Sequence, residues 1–137
     1  MRKKTWTEKL ATVREPKVET LAKRFAGIAS GKRLLVATPL TVRDYIAAIP
    51  RGEGRSIAQM RDDLARRHGA DATCPTSTGI FVRIAAEAAL EELAQGREPH
   101  EITPFWRLVP PESPTAHKLS CGPDFIATQR ALEGVRS

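Results

Sequence analysis

Residues 56–96, SIAQMRDDLARRHGADATCPTSTGIFVRIAAEAALEELAQG, decide the fold class, because they hold two helical patterns joined by a short connection. Ser56 is a favourable N-cap, and Gln59 three residues later completes a capping-box pattern. The first helix has one apolar face and stops at Gly69, and a second pattern of strong helix formers covers residues 76–95. Its spacing predicts a buried stripe formed by Ile80, Ile84, Ala88 and Leu93. The pair predicts either a helix-turn-helix or two antiparallel core helices.

The second of these helices opens with small polar residues at positions 76–79, TSTG. Small side chains let a helix N-terminus approach another surface closely, and its free backbone N–H groups favour anions. Hydroxyl groups and arginines near such a helix suit contacts to phosphates and groove edges of DNA. The alternative is an ordinary solvated polar face. The candidate DNA-contacting residues are Arg55, Ser56, Thr76, Ser77, Thr78 and Arg83.

The sequence on both sides of this pair predicts further elements of a mainly α fold. Before it, residues 17–29 predict a short helix, residues 32–38 a strand or extended lead-in, and residues 41–49 a helix. After it, residues 97–111 predict an extended apolar segment. A polar loop rich in proline and serine then leads to a last helix at residues 123–135.

Positive charge is concentrated in the first third of the chain. The whole protein has 137 residues, which fits one domain, and a net charge of +6. A basic arm attracts polyanions by releasing their counterions, although it could equally be a solubilising tail. Three glutamates, Glu8, Glu15 and Glu19, accompany the basic residues. The basic residues are Arg2, Lys3, Lys4, Lys9, Arg14, Lys17, Lys23, Arg24, Lys32 and Arg33.

Several functional classes are not indicated. Cys74 and Cys121 do not make a disulfide framework, and neither has metal-ligand spacing with His100 or His117. No cofactor is therefore predicted. The opening residues MRKKTWTEKL lack the apolar segment of a secretory signal, and no apolar run approaches membrane-spanning length. We expect a cytoplasmic protein without membrane contact.

Four short motifs follow one another along residues 39–135. They are IPRG at 49–52 with the run from Ser56 to Ala65, TSTG at 76–79, TPFWRLV at 103–109, and GPDFIATQRALEG at 122–134. In this order and spacing they resemble the motifs of alkylguanine-DNA alkyltransferases and alkyltransferase-like proteins. The resemblance implies a winged helix-turn-helix domain at residues 39–137, preceded by a basic N-terminal extension at residues 1–38.

The chain also departs from this family at its active site. The nucleophilic cysteine of the family falls at Phe105 and the neighbouring histidine at Trp106, so only Arg107 of that motif remains. Because a phenyl ring cannot accept an alkyl group, alkyl transfer at this position is excluded. Three further family residues are also replaced: a tyrosine at Ile57, an arginine at Thr76 and an asparagine near Ala85. Together these replacements put base flipping by the family's mechanism in question.

Phe105, Trp106 and Arg107 are the candidates for a base pocket. Aromatic rings here could stack on a base, or they could fill the core, and we expect at least one of them in the core. Arg107 could contact a phosphate or form a structural salt bridge. The predicted partners of such a bridge are Glu87, Glu91 and Glu101.

Three functions are compatible with these features. The first is a non-catalytic protein that binds double-stranded DNA and senses a damaged base or recruits a repair protein. The second is a protein-interaction module that kept the fold without DNA binding. The third is an enzyme with a relocated nucleophile, for which Cys74 at a helix start is the only candidate.

Overall fold

The computed structural model of the protein describes residues 3–12 and 14–135. Helices dominate these residues, as predicted for a mainly α fold, and a small three-stranded sheet accompanies them. Two turns of 3-10 helix, Pro99–Glu101 and Phe105–Arg107, connect the longer elements. The elements in chain order are α1 (Trp6–Leu10), β1 (Lys17–Thr20), β2 (Arg33–Val36), α2 (Pro39–Ala47), α3 (Ile57–Arg67), β3 (Ala72–Thr73), α4 (Pro75–Ala94), α5 (Pro114–Lys118) and α6 (Gly122–Glu133).

The capping signals at the start of α3 work as predicted. The Gln59 backbone N–H donates to the Ser56 hydroxyl at 3.0 Å, and the Ser56 N–H donates to the Gln59 side chain at 2.7 Å. Gly69 follows the end of α3 with a φ of 66°, a left-handed conformation that favours glycine. The two helices of the pair are therefore present, and local capping chemistry sets the boundaries of α3.

The hydrophobic core forms around the middle of α4. Ala85, Ala86, Ala88 and Ala89 are all buried there. Their small side chains let α1 and α2 pack closely against the α4 backbone. Three aromatic rings extend the core towards α6. Phe105 packs edge-on against Trp106, with ring centroids 5.4 Å apart, and stacks with Phe125 at 6.0 Å.

The sheet joins the N-terminal part of the chain to α4. β1 runs antiparallel to β2, with Thr20 opposite Arg33, and β3 pairs in parallel with β2, with Leu35 opposite Thr73. The Cys74 N–H donates to the Leu35 carbonyl at 2.9 Å, so the strand pairing leads directly into the first turn of α4. Of the two alternatives predicted for residues 32–38, a strand or an extended lead-in, the structure has a strand, β2, at the centre of the sheet.

The helix predicted at residues 17–29 is wrong. Residues 17–20 form β1, and residues 21–32 form the loop of a β-hairpin. Gly27 and Gly31 adopt φ values of 82° and 84° in this loop, which no right-handed helix permits. The broken apolar stripe of this segment is a weak helix signal, and pairing with β2 satisfies its backbone instead.

The segment after α4 also differs from the prediction. Residues 97–111 are not extended but contain the two 3-10 turns. The proline- and serine-rich stretch holds the helix α5 instead of a loop. Ser113 caps α5 by accepting from the Ala116 N–H at 3.2 Å, and Pro114 occupies the first helical position, where its missing N–H costs nothing.

Residues on both sides of the predicted boundary at 38/39 share one core. Leu10 from α1, Leu35 from β2 and Ala37 are buried in the same cluster as Val42 and Val82. The described part of residues 1–38 thus contributes to the core of the following domain. It is not a detached basic arm.

Candidate nucleic-acid interface

The N-terminal half of α4 exposes one stripe of residues at helical spacing. Thr76, Gly79, Ile80 and Arg83 follow the i, i+3, i+4, i+7 pattern that places side chains on one helix face. All four are exposed, and Ile80 keeps 56% of its surface open to solvent. This stripe therefore projects away from the core that the rest of α4 forms.

A shallow depression lies on one side of the stripe. Thr76, Gly79, Ile80 and Arg83 line it from α4, and residues of α5 close it. Its volume is about 280 Å³. The α5 contributions are Thr115 and Lys118, so Arg83 and Lys118 supply two positive charges to this depression.

A second depression, of about 330 Å³, lies on the other side of Ile80. Lys4, Lys9 and Arg14 line it together with Thr12 of the same N-terminal segment. The rest of its lining consists of apolar residues. They are Pro39, Ile80, Phe81 and Ile84.

We call the surface made by Ile80 and its five surrounding cations the cationic face. Ile80 lines both depressions, and none of the described residues that line either one is an aspartate or glutamate. Such a surface attracts polyanions, because no carboxylate within its lining cancels its field. The five cations are Lys4, Lys9, Arg14, Arg83 and Lys118.

Glu91 of α4 fixes the position of α1 beside this face. Its carboxylate accepts hydrogen bonds from the N–H of Trp6 at 3.1 Å, the N–H of Thr7 at 2.8 Å and the Thr7 hydroxyl at 2.7 Å. Burial opposes the charge of Glu91, but these hydrogen bonds outweigh it and hold the pKa of the carboxyl below its usual range. The start of α1 is consequently attached to α4.

Trp6 brings two of the cations together. The Lys9 ammonium lies 4.2 Å from the Trp6 ring centroid, and the Arg83 guanidinium carbon lies 5.3 Å from it. Cations over an indole face are attracted by the ring quadrupole. Trp6 therefore links the basic side chain of α1 to that of α4 across the edge of the cationic face.

The predicted helix tip is only partly available to a ligand. Thr76 is exposed, but Thr78 is buried and donates its hydroxyl to the Cys74 carbonyl at 2.6 Å. The Ser77 hydroxyl is also buried and has no hydrogen-bond partner among the described residues. Of the four predicted contacts on α4, Thr76 and Arg83 lie on the cationic face.

Arg55 and Ser56 lie elsewhere on the molecule. The Ser56 hydroxyl caps α3, and the Arg55 guanidinium pairs with Glu53 at 3.0 Å. Both line a separate depression of about 130 Å³, together with Leu108 and Arg130 among others. The structure therefore does not bring these two residues into the depressions that Thr76 and Arg83 line.

Both aromatic candidates for a base pocket belong to the core. Phe105 and Trp106 are 0% and 1% exposed, and neither ring offers a face on which a base could stack. The expectation that at least one would be core is fulfilled by both. The Trp106 indole N–H makes no hydrogen bond within the described part of the chain, although it lies near enough to Glu133 to favour the ionised carboxylate.

Arg107 forms a structural ion pair, but none of the predicted partners is correct. Its guanidinium makes two hydrogen bonds to Glu133, at 2.8 and 2.9 Å, and donates a third to the Ile49 carbonyl at 2.7 Å. These hydrogen bonds hold the pKa of the Glu133 carboxyl below its usual range, although burial acts in the opposite direction. Arg107 is therefore committed to the protein and not free for a phosphate.

The predicted partners of Arg107 have other roles. Glu87 is buried on α4 and accepts from the Ser120 hydroxyl and N–H. Glu91 holds α1 through its hydrogen bonds to Trp6 and Thr7, and Glu101 accepts from the Glu98 N–H at 2.9 Å. Sequence distance gives no indication that the correct partner lies at the end of α6.

Three motif segments meet at Arg107. IPRG contributes the Ile49 carbonyl and also Gly52, whose φ is 85° and whose absent Cβ would lie 3.4 Å from the Glu133 carbonyl oxygen. TPFWRLV contributes Arg107 itself, and the last motif contributes Glu133. A side chain at Gly52 would be strained by this backbone conformation, and its Cβ would be in van der Waals contact with the Glu133 carbonyl.

Cys74 does not have the surroundings of a nucleophile. It is buried at the N-cap of α4, and no described histidine or carboxylate makes a hydrogen bond with its thiol. Cys121 is half-buried, and burial raises the pKa of its thiol. Within residues 3–12 and 14–135 no group of three or more histidine, cysteine, aspartate or glutamate side chains could hold a metal ion.

Sequence reasoning misses several residues of the cationic face. It identifies Lys4, Lys9 and Arg14 only as part of a general basic excess, and it predicts Ile80 in a buried stripe of α4. Lys118 belongs to a stretch for which a loop is predicted. Only the positive charge of the basic residues could have indicated this surface from the sequence, because no local sequence pattern predicts that α1 and α5 pack beside α4.

No protein-family model, curated protein or solved structure matches this chain. Within the described residues, no helix combines the length and the apolar character that crossing a bilayer requires.

Proposed function

We propose that this protein is a non-catalytic DNA-binding protein that contacts double-stranded DNA through the cationic face. The observation that carries the proposal is the set of five cations around the exposed stripe of α4, with no carboxylate among the described lining residues. Phosphate contacts supply essentially all of the non-specific affinity of DNA binders, and basic side chains provide these contacts.

In this proposal α3 and α4 form the helix-turn-helix, with α4 as the recognition helix. The β1–β2 hairpin then acts as the wing. Its exposed basic side chains support this assignment. They are Lys17, Lys23, Arg24, Lys32 and Arg33.

The proposed role involves no chemistry on the DNA. Phe105 stands where the resembling family has its nucleophile, and Cys74 is buried, with no hydrogen bond to a histidine or carboxylate among the described residues. In keeping with the resemblance, we place the binding in DNA repair. Its role would be to recognise a damaged site or to recruit a repair protein.

Fluorescence anisotropy with a labelled DNA duplex tests the proposal. We expect the affinity to fall by about 10²–10³-fold between about 50 and about 200 mM salt, because binding would neutralise roughly five phosphates and release their counterions. The triple variant Lys4→Glu/Arg14→Glu/Lys118→Glu should abolish binding, since all three side chains are exposed cations of the face.

Arg97→Glu is the matched control. Arg97 is an exposed arginine beyond the C-terminal end of α4 and outside both depressions. This variant should bind the duplex almost as tightly as the unchanged protein. A folded protein that binds no duplex even at low salt would contradict DNA binding and would favour a protein-interaction module.

A further inference from the structure

Ile80 forms a ridge between the two depressions of the cationic face. It lines both of them and is 56% exposed, while Thr76 and Gly79 beside it on α4 are small. A single exposed apolar residue is common on protein surfaces. This one is distinguished by its position at the centre of a surface whose described lining charges are all of one sign.

Each side of this ridge carries cations, and two of them, Lys9 and Arg83, line different depressions while both lie over the Trp6 ring. Lys4, Lys9 and Arg14 line one depression, and Arg83 and Lys118 line the other. A ligand that fits this arrangement carries negative charge in two rows with a less polar surface between them. A ligand with one row of charge would occupy only one side.

Duplex DNA has this arrangement, because two rows of phosphates border each groove and base edges form the groove floor. In the grooves, apolar side chains contact thymine methyl groups or wedge between base steps. A single strand presents one phosphate row and free base faces instead. The small side chains of Thr76 and Gly79 allow the α4 backbone to approach the DNA closely.

We propose that Ile80 enters a groove of the duplex while the two depressions bind phosphates of the two opposite strands. This inference rests on the proposed function and specifies its ligand: the face selects double-stranded over single-stranded DNA. Ile80 acts as the apolar contact, and the cations on either side set the register of α4 along the groove.

Replacing Ile80 tests the groove contact. Ile80→Ala should weaken binding to a duplex about fivefold, because the exposed part of the isoleucine no longer loses water on binding. The salt dependence should stay unchanged, and binding to one strand of the same sequence should stay the same. Leu132→Ala is the control, since Leu132 is 68% exposed on α6, away from both depressions, and should have no effect.

Removing cations from each side tests the two phosphate rows. Lys4→Ala/Arg14→Ala on one side and Lys118→Ala on the other should each reduce the slope of log affinity against log salt, by about 0.9 for every phosphate that is no longer neutralised. Both reductions are expected with the duplex. A slope that changes with only one side would overturn the two-row arrangement.

The outcomes separate this inference from the proposed function. No binding to any DNA removes both. Equal affinity for duplex and single strand, with Ile80→Ala behaving as the unchanged protein, leaves a DNA-binding protein but removes the groove insertion of Ile80.

Discussion

Arg107 and Glu133 form an ion pair that is shielded from water on both sides. The side chain of Arg107 is 14% exposed and that of Glu133 is 4% exposed, and the two make paired hydrogen bonds. Buried charges of this kind are costly to leave unpaired, because neither water nor another side chain replaces the missing partner. The pair therefore ties the 3-10 turn at residues 105–107 to the end of α6.

Removing one charge of this pair should strongly destabilise the protein. We expect Glu133→Gln to lower the free energy of unfolding by about 3 kcal/mol at pH 7, because the Arg107 charge stays buried without its partner. Urea denaturation followed by circular dichroism measures the change. Glu19→Gln is the control, since the Lys17–Glu19 pair is exposed and should contribute less than about 1 kcal/mol.

The same variant should show a characteristic pH dependence. The folded-state pKa of Glu133 lies below its ordinary value of 4.5, so the unfolded chain takes up the proton first as the pH falls. The stability from Glu133 is complete above this value and is lost as the pH falls through the folded pKa. The difference between the two proteins should shrink in that range, and a constant difference from about pH 7 to about pH 3 would argue against an ionised pair.

α1 shows how an element can depend on the tertiary structure for its existence. A helix of five residues is not stable alone in water, because its first turn costs more entropy than its few hydrogen bonds offset. Thr5 and Glu8 cap its start, Leu10 is buried against the core, and Glu91 receives its first N–H groups. Contacts with α4 therefore stabilise α1 in addition to its own capping residues.

Removing the Glu91 carboxylate should release α1. We expect Glu91→Ala to speed amide hydrogen exchange in residues 3–12 by about tenfold or more, because the charged hydrogen bonds to backbone groups disappear. Exchange in α3 should not change. Hydrogen exchange with mass spectrometry measures both, and Glu92→Ala provides the control, since Glu92 contacts Arg97 on another side of α4. Unchanged exchange in residues 3–12 would mean that side-chain packing, and not Glu91, holds α1.

At the scale of the whole molecule, one core unites the chain from α1 to α6. Leu10 and Leu35 lie in the same buried cluster as Ile126 near the C-terminus. The fold therefore places Lys4, Lys9 and Arg14 beside α4, and the cationic face exists only when α1, α4 and α5 are assembled. We therefore expect DNA binding to depend on the same contacts between α1, α4 and α5 that stabilise the fold.

A truncated protein tests this unity. We expect residues 39–137 alone to fail to fold cooperatively, because the fragment lacks β2 and the buried leucines Leu10, Leu34 and Leu35. Each buried leucine contributes about 2–5 kcal/mol, so the deficit is comparable to the whole stability of a small domain. Thermal unfolding followed by circular dichroism should show no sharp transition. A cooperative transition near that of the full chain would show that residues 39–137 fold without residues 1–38.

The sequence by itself determined the features that depend on neighbouring residues. The capping box of Ser56 and Gln59, the helical composition of α4 and the basic excess near the N-terminus are all readable from local patterns. These signals act within one or two helical turns, where propensity and capping chemistry dominate. The mainly α class follows from them.

Only the tertiary structure decided the features that depend on residues far apart in the chain. Residues 17–20 became a strand because β2 offered a pairing edge, and Arg107 found Glu133 because α6 packs on the 3-10 turn. Likewise, Ile80 stayed exposed because α1 and α5 flank α4 without covering it. Packing and pairing energies exceed weak local preferences, and no spacing rule encodes which distant segments will meet.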